Sequence, residues 1–346
     1  MGLQVKYAPD IPEVFKCRVP LADTGQVYLM NGILRESYAD DSGVEIVSGE
    51  ESGFIITVPA EVSQAGSVQL ISIRDNENID PISFSNEIRL GKGSSSNFLL
   101  CTHTLSLDEF VTESSIIIDA AENSSSHIVV MQNEHNRSSH KINFTITLQK
   151  GAFVRLNIVT LHGALLENNI EAFLKGEEAV CEINGIYLAD GKQQINNKVN
   201  MNHLVPHCTS RQLFKGILDN EAKASFIGRI LVEKDAQKTQ AYQSNHNLLL
   251  SRKAKVYAQP QLEIYADDVK CSHGATSGRL DENGLFYMRS RGIGASEAKL
   301  LQQIAFIYDV LEKIDNCELR DKLQEMVESR LRGEFSHCAN CSMNCC

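Results

Sequence analysis

Residues 144–148 read Phe-Thr-Ile-Thr-Leu, and residues 154–158 read Val-Arg-Leu-Asn-Ile. In each run every second residue is apolar: Phe144, Ile146 and Leu148, then Val154, Leu156 and Ile158. Successive side chains of an extended strand point to opposite faces, so a period of two buries one face and leaves the other wetter. The pattern extends outward. Phe226, Gly228, Ile230 and Val232 alternate with Ser225, Ile227, Arg229 and Leu231, and Leu262, Ile264 and Ala266 repeat it. Polar clusters of turn type separate the runs: Gly176-Glu177-Glu178, Asp190-Gly191-Lys192, Asp219-Asn220-Glu221 and Lys234-Asp235-Ala236. No helical pattern of length falls between about residue 100 and residue 290, which excludes an alternating βαβ fold. A sandwich, a barrel and a β-solenoid remain. Even spacing of short strands over so long a stretch favours the solenoid, in which each coil buries its face on the next, although spacing alone leaves a large sandwich open.

The flanks read differently. In the first 100 residues, Val27 to Leu34 and Phe54 to Val58 look like strands, and Gly91 to Asn97 looks like a surface loop. The character changes again at Gly292-Ile293-Gly294. Ser296 is a plausible N-cap, with Glu297 in the first turn complementing the helix dipole. Leu300, Leu301, Ile304, Ile307, Tyr308, Leu311 and Ile314 then recur at helical spacing. A second helix holds Leu319, Leu323, Met326, Val327 and Leu331, with Gly333 placed as its C-terminal cap. The expected organisation is a β-rich N-terminal segment (1–100) leading into a β core (101–291), a helical domain (292–333) and a Cys-rich tail (334–346).

Composition narrows the function. The chain has 346 residues, 42% hydrophobic and 22% charged, with a formal net charge of −11. An acidic chain without Trp and with 6% aromatics is poorly suited to nucleic acid, which demands Lys and Arg against phosphates and aromatic stacking platforms. No stretch is long and apolar enough to span a membrane, and the N-terminal residues lack the apolar core of a signal peptide. Six of the ten cysteines are scattered, which points to reduced thiols in the cytoplasm.

Four motifs carry possible chemistry. Gly91-Lys92 invites a phosphate-loop reading, but the Gly needed six residues before the Lys is Asn86, so a surface turn is preferred. In Cys271-Ser272-His273 the thiol and imidazole share one strand face, with Asp267 and Val269 on the same side. Such a set could ligate iron or zinc, or lower the thiol pKa, and the plainer reading is a small buried Cys beside a hydrogen-bonded His. His203, His207 and Cys208 form a looser cluster, for which a polar loop is the preferred reading. The tail, from His337 on, holds Cys338, Cys341, Cys345 and Cys346, a spacing suited to a metal or a cluster.

One longer stretch is more specific. Residues 260–276 read Pro-Gln-Leu-Glu-Ile-Tyr-Ala-Asp-Asp-Val-Lys-Cys-Ser-His-Gly-Ala-Thr, and residues 285–293 read Leu-Phe-Tyr-Met-Arg-Ser-Arg-Gly-Ile. With Asn247-Leu248-Leu249-Leu250-Ser251 upstream, this resembles the C-terminal signature of the SufB/SufD family of iron–sulfur cluster assembly proteins, over roughly residues 100–331. Met288 stands where SufB-like chains carry a Cys, and Cys-Ser-His-Gly-Ala-Thr at 271–276 is SufD-like, so the resemblance leans to the SufD branch. It implies a right-handed parallel β-helix and a non-enzymatic scaffold. It implies pairing with a SufB-like paralogue, or with a second copy in its absence. It also implies a SufC-like ATPase docked on the C-terminal helices that carry Leu300, Ile304, Ile307, Tyr308 and Leu311. It puts His273, with Cys271 beside it, at the paralogue interface where a nascent cluster forms, with iron or a cluster held transiently and no cofactor held stably by the isolated chain. Two features depart from the family: β-like sequence begins almost at once where members commonly carry a helical domain, and the Cys-rich tail has no counterpart. A β-helical carbohydrate-active enzyme and a metal-binding module built on the tail are the competing readings.

Overall fold

The computed structural model of the chain describes residues 25–106 and 108–333. The strands form two sheets of ten strands each, and from Phe54–Val58 on successive strands go alternately to one and the other. Sheet A is parallel from Gly25–Met30 to Lys270–Gly278, and sheet B from Phe54–Val58 to Lys255–Ile264. Short antiparallel strands, Ile33–Leu34, Tyr38–Ala39 and Glu45–Ser48, sit only at the N-terminal end. Elsewhere each strand pairs with its counterpart one coil on: Ser95 with Ser125, Ser125 with Phe153, Phe153 with Val180, Val180 with Thr209, Thr209 with Gln240, and Gln240 with Lys270. Parallel pairing between non-consecutive strands makes this a β-solenoid and not a sandwich.

One corner recurs in every coil. Gly93, Asn123, Gly151, Glu178, His207 and Lys238 all adopt positive φ, between 57° and 65°. Each stands two residues before a strand of sheet A. The corner N–H donates to a carbonyl of the following coil, Gly93 to Glu122, Asn123 to Lys150, Gly151 to Glu177, His207 to Gln237 and Lys238 to Asp268. The next residue in each case is small and buried: Ser94, Ser124, Ala152, Ala179, Cys208 and Thr239. This corner shortens the expected loop at Gly91 to Asn97, because Ser95 to Asn97 already belong to the strand Ser95–Thr104. That strand runs across residue 100, so the ladders continue unbroken from the N-terminal segment into the rest of the core.

Sheet A is buried on both faces, which explains runs such as Ile128-Val129-Val130-Met131. Ile128 and Val130 face the interior between the sheets, whereas Val129 and Met131 meet helices on the outside. Three helices follow the solenoid: α1 (Glu282–Ser290), α2 (Ala295–Leu311) and α3 (Cys317–Arg332). α1 was not visible as a helical period; the Asp281 carboxylate caps it by accepting from the Asn283 and Gly284 N–H groups. α2 starts at Gly294 as N-cap, so Ser296 lies inside its first turn. Gly333 ends α3 in the left-handed conformation the sequence led us to expect. Ile307, Val310, Leu311, Leu323 and Val327 pack on the outer face of sheet A. At about 1.5–3 kcal/mol for each fully buried side chain, lifting the α2–α3 pair from the sheet would cost on the order of 10 kcal/mol. Buried Arg330 adds a polar anchor: its guanidinium donates to the Leu161 carbonyl (3.0 Å), Asp190 Oδ2 (2.8 Å) and Gln193 Oε1 (3.1 Å).

Two buried histidines make stability depend on pH. Burial lowers the His203 pKa to about 4, and burial together with the nearby Arg330 charge lowers that of His162 to about 3. In the unfolded chain both protonate near 6.5. Their contribution is therefore complete above about pH 6.5 and shrinks as pH falls toward 4, by up to about 1.4 kcal/mol per pH unit for each group. The urea midpoint should drop between pH 7 and pH 5, and His203→Asn should reduce that drop; equal midpoints at the two pH values would contradict the account.

Candidate functional site

At the C-terminal end both sheets stop without a successor. Lys270–Gly278 is the last strand of sheet A and Lys255–Ile264 the last of sheet B. Each earlier coil is hydrogen-bonded to the next one, whereas among the described residues these two strands present a row of N–H and C=O groups with no following strand. Such an edge is a template for pairing with another chain. Tyr257 and Tyr265 are exposed beside it, and in Lys270–Gly278 every residue except Cys271 is exposed.

The strand places Cys271 and His273 as their spacing indicated. Cys271 pairs with Ala241 and His273 with Gln243, residues whose side chains point into the solenoid interior. Both therefore take inward positions at an end where no further described strand follows. Cys271 is half-buried and packs against the core, and burial pushes its thiol pKa up, opposed only by a backbone hydrogen bond at Ala241. Desolvation thus works against the activated thiolate considered from the sequence. Asp267 lies in the turn before the strand and is exposed, so the periodicity did not carry it onto the same face.

The cluster at 203–208 also dissolves. His203 is buried inside the solenoid and shares a hydrogen bond with Ser210 Oγ (2.8 Å), His207 is the exposed left-handed corner residue, and Cys208 is the small corner residue beneath it. Burial raises the Cys208 thiol pKa to about 11. Among the described residues no group of three or more His, Cys, Asp or Glu side chains could hold a metal ion. Cys338, Cys341, Cys345 and Cys346 lie outside the described residues.

A feature that sequence reading missed leads to His273. Along one inward file of sheet A the residues in register are Ile183, Gln212, Gln243 and His273. Gln212 and Gln243 are 2% and 1% exposed, and Gln243 Nε2 donates to Gln212 Oε1 at 3.1 Å. Gly228 on the facing sheet makes room, since any side chain there would collide with the Gln243 carboxamide. Beside them Tyr187 Oη donates to Asn247 Oδ1 (2.5 Å), and Asn247 Nδ2 to Asn245 Oδ1 (2.7 Å). Along this file the interior thus turns from apolar to amide as it nears the open end. The available signal was an amide at the core phase of a period-two run, aligned with the histidine one coil on.

The helical residues divide. Leu300, Ile307 and Leu311 are buried, and Ile307 and Leu311 pack on the outer face of sheet A, so these three are not free to meet a partner. Ile304 is half-buried, and Tyr308 is 44% exposed. Leu301 on α2 and Phe286 and Tyr287 on α1 are exposed too, Phe286 at 74%, and Met288 sits half-buried on α1. No helix among the described residues is long and apolar enough to cross a membrane.

Comparison with known proteins agrees with this geometry. The SUF system FeS cluster assembly SufBD core domain matches residues 75–306. The iron–sulfur cluster assembly protein SufD of Escherichia coli is 32% identical over 259 residues, covering 74% of this chain and 61% of that protein. A SufBD family protein of Synechocystis is 36% identical over 201 residues, covering 58% of this chain and 44% of that protein. Protein ABCI7, chloroplastic, of Arabidopsis thaliana is 34% identical over 205 residues, covering 58% and 42%. The chain therefore spans about three fifths of the first of these proteins and under half of the other two.

Exposure separates the two end residues energetically. His273→Ala should leave the thermal midpoint of the isolated chain within about 2–4 °C, because exposed substitutions usually stay within about 0.5 kcal/mol. Cys271→Ser, which puts a hydroxyl against the core, should lower it further. The reverse order in a thermal melt would show that His273 is a core residue.

Proposed function

The chain belongs to the SufB/SufD family of iron–sulfur cluster assembly proteins, and from that premise we propose that it is a SufD-type scaffold subunit, not an enzyme. The observation that carries the reading is the uncovered end of the solenoid, with the His273 imidazole at an inward position on its last strand. A second solenoid, from a SufB-like paralogue or another copy of this chain, would add its own edge strands to both sheets and extend the ladders across the junction. That pairing converts an inward but wet histidine into one enclosed between two chains. There a neutral imidazole has a lone pair for iron, the cargo of the assembly, or can move a proton as sulfur is delivered. Cys271 takes the packing role beside it.

An ATPase of the SufC type would dock on what α1 and α2 leave outside: Phe286, Tyr287, Leu301 and Tyr308, with Ile304 at the margin. The buried members of the stripe fix the helices so that these residues stand on a rigid support. Phosphate binding belongs to that partner. Here Lys92 pairs with Glu122 (2.9 Å), and Asn86 sits buried in a strand with its Oδ1 accepting from the Phe54 N–H. The free thiols Cys101, Cys181, Cys208, Cys271 and Cys317 fit a reducing cytoplasm. The family match gives the polysaccharide-enzyme reading no support.

Two outcomes test this. His273→Ala should still assemble with its partners while iron per purified complex falls several-fold; full iron content at wild-type complex levels would end the reading of His273. Replacing Leu301 and Tyr308 together by Asp should abolish ATPase pull-down without changing the thermal midpoint of the isolated chain, since neither side chain is in the core. Undiminished pull-down by folded protein would exclude the α2 surface.

A further inference from the structure

The file Gln212–Gln243–His273 has a direction. Gln243 Nε2 donates backward, to Gln212 in the preceding coil. The two polar atoms of a carboxamide diverge by about 120° from its carbon, so with Nε2 committed to the preceding coil Gln243 Oε1 is directed away from Gln212. The residue in register in the following coil is His273. Adjacent strands lie about 4.8 Å apart, within reach of an imidazole N–H. Gln243 Oε1 is fully buried and has no hydrogen-bond partner among the described residues. A buried carbonyl left unpaired is costly, and its neighbour in register lies in the last described coil. The His273 side chain is exposed and not committed to core packing.

We propose that Gln243 is a positioning residue for His273: its side-chain carbonyl accepts the N–H of one ring nitrogen and thereby fixes the other as the bare nitrogen presented at the open end. The inference deepens the reading of His273 given above and rests on it for its functional meaning. In a neutral imidazole the hydrogen bond made by one nitrogen decides which tautomer is present, and hence where the lone pair points. Gly228 belongs to the same device, because only a residue without a side chain lets the Gln243 amide lie between the sheets.

The test reads the tautomer directly and needs no cluster. The full chain is labelled with ¹⁵N-histidine, and the ring nitrogen shifts of His273 are recorded at a pH where the ring is neutral, with His273→Ala supplying the assignment. The wild type should show one protonated and one bare nitrogen. In Gln243→Met the two shifts should converge toward those of a free imidazole, whereas Gln212→Met, equally buried but one coil away, should leave them separated. Unmoved shifts in Gln243→Met, or equal movement in both variants, would overturn the proposal. If Gln243→Met fails to fold because Gln212 loses its donor, the double Met variant removes both amides and carries the same expectation. Full iron in the His273→Ala complex would sink the functional reading of His273 and leave this tautomer result to be judged on its own.

Discussion

Each coil enters sheet A through one residue held at positive φ, and everything else in the solenoid follows from that corner. Five of the seven described positions are not glycine: Glu61, whose N–H likewise donates to the Lys92 carbonyl, Asn123, Glu178, His207 and Lys238. Holding an L-residue there costs about 1–2 kcal/mol. The corner N–H regains about 0.5–1.5 kcal/mol by donating to the next coil. The small residue that follows, Ala152, Ala179 or Cys208 for example, stacks on its counterparts without opening a gap. No single corner is stabilising in isolation. Repetition makes it so, because each one sets the register of a full ladder and aligns the inward files along the molecule.

That alignment decides what the ends can be. At the N-terminal end, Ile33–Leu34, Tyr38–Ala39 and Glu45–Ser48 fold back antiparallel and occupy the edges. At the C-terminal end the chain leaves Lys270–Gly278 for α1 and the α2–α3 pair, which is committed to the outer face of sheet A by its buried apolar residues and by Arg330. The helices therefore stiffen the side of the solenoid and leave its end open. Among the described residues, one end carries short antiparallel strands at its edges, and the other offers two parallel strand edges of matched length.

The strands were legible because a period of two survives in any half-buried strand, and the open stretch without a helical period excluded βαβ. The solenoid was favoured over a sandwich only by spacing, since alternation reports one face and says nothing about which strand is the neighbour. His207 and Cys208 looked like possible ligands because a turn residue that needs positive φ and a small buried residue can each be filled by ligand-forming side chains. The stripe on α2 was visible as a stripe, but periodicity cannot say that Ile307 and Leu311 meet sheet A while Tyr308 stays outside. α1 was hidden because Leu285 is its only buried residue. Within the candidate site, Cys271 and His273 were legible from strand spacing, whereas Gln212 and Gln243 become meaningful only once register stacks residues that are far apart in sequence.

The change in the interior from Ile128, Leu156 and Ile183 to Gln212, Gln243 and His273 bears on how the end is used. An apolar core ending abruptly at water would expose a hydrophobic patch whenever the end is uncovered. Amides tolerate both situations, bonding to water or to each other when the end is open and to a partner's groups when it is closed. Their cost is a less favourable interior, with Gln212 Nε2 and Gln243 Oε1 unpaired. A protein selected for stability alone would fill this file with Ile or Leu, as the earlier coils do. The amide file is what an end requires if it must be wet before assembly and enclosed after it, with a histidine held in one orientation across the change.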